Sequence, residues 1–258
     1  MFVATHSMSP QLPPTEPLEE SVPTTTASAA IPAHVAIIMD GNRRWAKQRH
    51  LPAVVGHQQG VQALKRTVTH AIHCGLSVLT VYAFSTENWQ RPLEEVSGLM
   101  NVLAEAMVNE LEALSRQGVR VVFLGDTQAF SHRLQGLMSQ LASETQANTA
   151  LTLQVALNYG ARSQLVGVIN ALVLERTQNP SQKPEPVTEQ LVADYLGDLP
   201  EPDLLIRTGG EQRLSNFLLW QLAYSELYFT ETLWPDFGPE ALDTALDNFS
   251  QRQRRYGK

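Results

Sequence analysis

The chain has 258 residues, enough for one large domain or two small ones with a sizeable buried core. Its hydrophobic fraction of 43% is ordinary for a globular protein, and a net charge of −7 argues against general nucleic-acid binding, which favours basic domains. The single cysteine, Cys74, excludes an intrachain disulfide and fits a reducing, cytoplasmic compartment, and no apolar run approaches the length of a membrane span.

Residues 1–32 are rich in Pro, Thr, Ser and Ala, with Glu16, Glu19 and Glu20 but no Lys or Arg. A secretory signal needs a basic start and an apolar stretch, and a transit peptide is Arg-rich and poor in acids, so this segment is neither. It reads as a disordered tail, and 33–258 as one folded domain. The first expected strand, 35–39, ends at Asp40-Gly41-Asn42 and is followed by Arg43, Arg44, Lys47, Arg49 and His50. A helix is expected over 57–73, with Gly75 where it should end. The next strand, 78–84, runs into Ser85-Thr86-Glu87-Asn88-Trp89-Gln90-Arg91. Pro92, Glu94 and Glu95 suit the start of a long helix over 93–116, closed near Gly118. Strand 119–124, helix 128–145, strand 151–157 and helix 161–177 follow. After a polar loop, 177–190, come a helix at 188–196, a strand at 204–206, a helix near 216–223, a short strand at 227–229 and a helix at 239–254. Such alternation, with nearly continuous apolar strands, predicts a single α/β domain. Its sheet should have about six mostly parallel strands, flanked by helices on both faces.

Ligands of such sheets bind at the carboxyl ends of the strands. Those ends carry Asp40-Gly-Asn-Arg-Arg44, Ser85 to Arg91, Gly125-Asp126, Asn158-Tyr-Gly-Ala-Arg162 and Arg207-Thr-Gly-Gly-Glu-Gln-Arg213-Leu-Ser215. Arginine forks and backbone N–H groups suit phosphate oxygens. Asp40 suits Mg²⁺, which binds through one or two carboxylates plus substrate phosphates. A polyanionic ligand thus accounts for cations clustered behind one acid in an acidic chain.

Each piece alone has a plainer explanation. Asp40 could be a turn former or cap, Arg44, Lys47 and Arg49 a solvated helix face, and Trp45 and Trp89 ordinary core. His57 could be a cap-region histidine, Asn88 a turn cap and Glu226 a strand-edge acid. Their recurrence at successive strand ends favours a site. P-loop, GxGxxG, CxxC, HExxH and GxSxG patterns are absent from the sequence, as is the DDxxD pair of trans-type prenyl synthases. The strand-Asp-x-Asp start of haloacid-dehalogenase-like phosphatases is broken by Asn42.

The stretches "HVAIIMDGNRRWAKQRHLPAVVGHQQG", "YAFSTENWQRPLEEV", "LNYGAR" and "DLLIRTGGEQRLSNFLLWQLAYSELYFTETLWPDF" resemble the cis-prenyltransferases, from about His34 to Tyr256. The resemblance implies a homodimeric α/β enzyme that adds isopentenyl diphosphate repeatedly to an allylic diphosphate, usually farnesyl diphosphate, with Mg²⁺. It assigns Asp40 to the metal and to catalysis, and Gly41, Asn42, Arg43, Arg44, Trp45 and His57 to the allylic diphosphate. Asn88 matches the position linked to proton handling, although an amide is a poor base. Ser85, Thr86, Glu87, Trp89 and Arg91 match neighbouring substrate contacts. Arg207, Arg213, Leu214 and Ser215 match the isopentenyl diphosphate site, and Glu226 a second metal-linked acid acting across the dimer. Ala53 departs from the pattern, standing where the family commonly has Arg. The growing apolar chain requires a dry tunnel. Alanine at position 83, where short-chain synthases carry a bulkier plug, implies a long product such as undecaprenyl diphosphate, a carrier precursor for cell-wall glycans. Transient contact with a membrane surface would help release it. A short- or medium-chain cis-prenyl diphosphate synthase, a noncatalytic partner subunit and a phosphohydrolase using Asp40 are the alternatives; the partner subunit should lack the acid and arginine set that is present here.

Overall fold

Five consecutive buried residues, His34–Ile38, form β1 at the centre of a six-stranded sheet. This computed structural model describes residues 31–178, 186–197 and 200–252. The expected tail therefore lies outside them for residues 1–30, as do residues 179–185 of the polar loop. The other strands are β2 (Val78–Ser85), β3 (Val119–Leu124), β4 (Leu151–Tyr159), β5 (Leu204–Arg207) and β6 (Glu226–Phe229). The order is β3-β4-β2-β1-β5-β6, and every pair is parallel. Both faces are covered, one by helices and the other by turns and the start of the helix at Ala161, which is why the strands could be read as apolar runs.

The helices are α1 (Asn42–Gln48), α2 (Ala53–His73), α3 (Leu93–Arg116), α4 (His132–Glu144), α5 (Ala161–Gln178), α6 (Glu189–Leu196) and α7 (Pro239–Ser250). One face of the sheet, through Val35, Ile37, Leu79 and Val81, packs on α2, α3, α4 and α7. The other, through Ala36, Ile38, Tyr82 and Leu205, packs on Phe217, Leu218 and Leu222. Gly75 and Gly118 adopt left-handed φ values of 78° and 70° just past α2 and α3, as expected of helix-ending glycines.

Four expectations need correction. The helix expected near 216–223 is a run of turns. Ser215, Asn216 and Leu218 take left-handed φ of 49°, 61° and 44°, which a right-handed helix cannot include. Helix α2 starts at Ala53 rather than 57, so His57 lies inside it. The segment 127–129 is a separate 3-10 turn, and α4 begins after Ser131, whose hydroxyl caps Leu134 N at 3.4 Å. Helix α7 ends at Ser250 rather than 254.

The first strand is flanked by β2 on one side and β5 on the other, so β2, β3 and β4 are laid down on one side of it and β5 and β6 on the other. The gap between the carboxyl ends of β1 and β5 is thus the topological switch point, where open parallel sheets bind ligands. Asp40 follows β1, and Arg207 is the last residue of β5.

Candidate active site

At that switch point Asp40 Oδ2 accepts from Arg207 Nη2 at 2.9 Å, and Asp40 Oδ1 lies 3.2 Å from Arg44 Nη2. Arg207 is buried, and its other Nη donates to Arg213 O at 2.5 Å and Ser215 Oγ at 2.7 Å. Its Nε finds no partner among the described residues. A buried guanidinium needs its counter-ion, so Asp40 is structural as well as exposed to ligand. The Asp40 carbonyl is fixed by Thr208 Oγ1 at 2.7 Å and Trp234 N at 3.0 Å. Gly41 turns the chain into α1 at φ 117°, and a Cβ there would sit 3.0 Å from Leu233. Gly209, at φ 84°, lets Arg44 reach its carbonyl at 2.5 Å; a side chain there would collide with Arg44.

A polar cleft of about 700 Å³ opens on this rim. It is lined by Asp40, Gly41, Asn42, Arg43, Arg44 and Arg91, with Lys47, His50, Ala53 and His57 completing the wall. Glu95, which sequence reasoning assigned only to the start of α3, holds Arg91 at 3.1 Å and lies 3.6 Å from Arg43. The signal was the Arg91/Glu95 spacing of four on the approach to α3, a pairing distance on a helix surface. Lys47 reaches the cleft from α1, and His50 from the turn after it, at a left-handed φ of 55°. Gly56 and Gly60 let α2 press onto the start of α1: a Cβ on Gly56 would overlap Asn42 O, and one on Gly60 would lie 2.6 Å from Asn42 Oδ1.

An apolar cavity of about 180 Å³ lies beneath, between α2, α3 and the sheet. Ala83, Leu99, Leu103 and Ala106 line it, whereas Met100 does not. Met39, Asn42 and His57 line both the cleft and the cavity. Asn42 Oδ1 and His57 Nε2 are buried there without hydrogen-bond partners among the described residues. Burial, and then the positive charge of Arg91, lowers the His57 pKa to about 4 against the opposing pull of Glu95, so the imidazole is neutral at pH 7.

The segment after β2 forms a wall beside the rim, of which only Arg91 lines the cleft. Asn88 Oδ1 accepts from Ser85 N at 3.1 Å while the Ser85 hydroxyl caps Asn88 N, a reciprocal capping box. Glu87 accepts from Asn216 Nδ2 at 3.1 Å. Burial would raise the Glu87 pKa, but its backbone N–H and hydrogen bonds from Ser85, Asn216 and Thr86 outweigh it and lower the value. Gly160 is needed beside this wall, because a Cβ would lie 2.7 Å from Asn216 Nδ2 and 2.9 Å from Thr86 Oγ1. Trp89 donates to Asn158 Oδ1 at 2.8 Å and packs against Phe84 and Phe130. Leu214 packs under the rim, and Arg213 is exposed and paired with Glu211.

Two expected site residues lie elsewhere. Trp45 turns its indole N–H to Asp236 Oδ1 at 2.6 Å, with Arg49 stacked 4.1 Å above the ring, and does not line the cleft. Glu226 is the first residue of β6, at the amino end of the sheet, and pairs with Arg252 at 2.7 Å. Within one chain it is not brought to Asp40.

The family model described as "Putative undecaprenyl diphosphate synthase" matches residues 38–257. This chain belongs to the undecaprenyl diphosphate synthase family. It is a prenyltransferase. It is 48% identical over 232 residues, 89% of this chain and 90% of the relative, to the (2E,6E)-farnesyl-diphosphate-specific ditrans,polycis-undecaprenyl-diphosphate synthase of Xanthomonas axonopodis pv. citri (strain 306). Among solved structures it is similar to lavandulyl diphosphate synthase from Lavandula x intermedia in complex with dimethylallyl diphosphate. There the TM-score is 0.84 at 35% identity, covering 88% of this chain and 99% of the other. It is also similar to a probable undecaprenyl diphosphate synthase from Campylobacter jejuni, with a TM-score of 0.74 at 29% identity and the same coverages. The six-stranded α/β sheet is therefore that of the prenyltransferase family.

Proposed function

We propose that this chain condenses isopentenyl diphosphate repeatedly, in cis, onto farnesyl diphosphate, with Mg²⁺, to give a long polyprenyl diphosphate, most plainly undecaprenyl diphosphate. The observation that carries this is a juxtaposition: a cationic cleft with one carboxylate and an apolar cavity share Met39, Asn42 and His57 in their walls. An allylic diphosphate has the same two halves.

Loss of diphosphate from the allylic carbon builds negative charge on the leaving oxygens, and fixed cations in a cleft stabilise it. Arg43, Arg44, Lys47 and Arg91 surround that position. The donor set fits Mg²⁺: a partly exposed hard carboxylate, Asp40, with its remaining ligands supplied by the diphosphate. Bound there, Mg²⁺ would neutralise leaving-group charge. Gly41, Asn42 and His57 offer the allylic side its inner wall. Arg207, Arg213, Leu214 and Ser215 are proposed to hold isopentenyl diphosphate, so Arg207 binds the prenyl acceptor while Asp40 holds Arg207. Ser85, Thr86, Glu87, Trp89 and Asn88 are proposed to shape the wall between the two diphosphates. The cap that Asn88 forms suits orientation better than proton abstraction. Trp45 supports the rim from behind through Asp236.

The cavity is proposed as the start of the tunnel for the growing chain. Homodimerisation is supported by an apolar stripe on α5, where Val166, Ile169 and Val173 are each more than half exposed. A dimer would also give Glu226 its only route to a neighbouring rim. Work in the cytoplasm, with product passed to a membrane surface for cell-wall glycan synthesis, follows from such a product. No helix among the described residues is long and apolar enough to cross a membrane. The lavandulyl diphosphate synthase likeness favours a second reading, a short-chain product.

The test is incubation of purified protein with labelled isopentenyl diphosphate and farnesyl diphosphate, with and without Mg²⁺, and mass analysis of the products. A long cis-polyprenyl diphosphate formed only with Mg²⁺ supports the proposal. Products that stop at four or five units, one or two additions beyond farnesyl, would select the short-chain reading, and phosphate release without isopentenyl diphosphate would indicate a phosphohydrolase.

A further inference from the structure

Helix α2 carries cleft residues at its start and a different cluster at its end. His57 and His70 are thirteen residues apart, so about 20 Å of helix separates the two ends. There His70 Nε2 lies 2.6 Å from Asp243 Oδ1 of α7, and Cys74 Sγ lies 3.8 Å from the same oxygen. One ligand atom from each of the three residues falls within 4.8 Å of the others. His70 and Cys74 are spaced i, i+4, and Cys74 keeps right-handed helical φ and ψ, so both side chains project from one helix face. That spacing is how a helix offers two ligands to one ion.

We propose that His70, Cys74 and Asp243 form a binding site for a borderline-soft divalent transition metal, Zn²⁺ above all, that pins the end of α2 to α7. The donor set of imidazole nitrogen, thiolate and carboxylate oxygen is that of zinc rather than of Mg²⁺ or Ca²⁺, which take oxygen ligands. Three protein ligands leave a fourth tetrahedral position for water. Metal–ligand bonds of about 2.0–2.3 Å place tetrahedral ligand atoms about 3.3–3.6 Å apart. The present separations need side-chain shifts of the order of 1 Å, and Asp243 is exposed enough to make them. Binding releases the thiol proton to solvent, and thiolate plus carboxylate then balance the dication. A surface cleft lined by Thr69, His70, His73 and Pro239 gives the ion its way in. The site is independent of the prenyl-transfer chemistry at the rim.

Cys74 is the only cysteine in the chain, which makes the test selective. Metal-free, reduced, full-length protein is titrated with Co²⁺ and followed for a thiolate-to-cobalt charge-transfer band. The expected result is a band that saturates at one ion per chain and is bleached by Zn²⁺. It should vanish in Cys74→Ser, and apparent affinity should fall at least ~10-fold in His70→Ala and in Asp243→Asn. Zn²⁺ should also raise the melting temperature of wild type but not of Cys74→Ser, whose metal-free melt reports its folding. A folded wild type with no band at saturating Co²⁺ overturns the proposal. So does a band indifferent to His70→Ala and Asp243→Asn, which would mark a lone thiol collecting metal.

Discussion

At the scale of single residues, Asp40 has two duties that substitution can separate. Alanine removes the carboxylate paired with the buried Arg207, so Asp40→Ala is expected to lose about 3–5 kcal/mol of stability. Asp40→Asn keeps an acceptor for Arg207 and should unfold closer to wild type. Both should lose at least ~10³-fold in turnover, the scale of a strong transition-state electrostatic contribution. Steady-state kinetics beside thermal melts would check this; near-full activity in soluble Asp40→Asn would refute the role given to the acid. Ala53, on the cleft wall, is the complementary case. Ala53→Arg should lower the KM for farnesyl diphosphate, since a charged hydrogen bond to phosphate is worth about 1.5–3 kcal/mol before desolvation. An unchanged KM would mean that Lys47 or another cleft cation already occupies that position.

At the scale of elements, the contact of α1 with α2 depends on two missing side chains. Gly60→Ala would drive a methyl to 2.6 Å from Asn42 Oδ1 and 3.1 Å from Trp234 Cδ1, so a loss of about 1–3 kcal/mol is expected in urea unfolding. A wild-type midpoint would show that the helices slide apart freely. Ala83 lies in the cavity wall at the end of β2, and Ala83→Leu should shorten the products while sparing the first condensation; unchanged products on mass analysis would disprove this. These elements differed in how openly the sequence announced them. Parallel strands buried on both faces are continuous apolar runs, and glycines mark the ends of α2 and α3, so sheet and long helices were legible. The turns at 216–223 were not, because apolar residues such as Phe217, Leu218 and Leu222 also pack under the sheet from left-handed turns. The short α1 hid behind its basic residues. The site was readable because strand ends converge on one rim. Glu95 was missed because an acid in the first turn of α3 already had an explanation in the helix dipole.

At the scale of the whole molecule, pH acts through buried histidines. His34 bridges Pro200 O and Thr80 Oγ1 at 2.6 Å each, and burial lowers its pKa from 6.5 to about 4, as it does for His57. As pH falls the unfolded chain protonates first, so stability is full above about pH 6.5 and declines between pH 6.5 and 4. Each histidine accounts for up to about 3 kcal/mol of that decline. Urea unfolding across this window should be steep for wild type and flatter for His34→Gln; parallel profiles would remove His34 from the account. Beyond stability, the proposed passage past Met39, Asn42 and His57 would set a direction of travel. If each new unit enters at the rim, the oldest carbons would lie farthest inward, in the cavity that Leu141 and Leu153 also line. How fast the protein works and when it stops would then be decided in different places, so selection could retune product length without touching the phosphate chemistry.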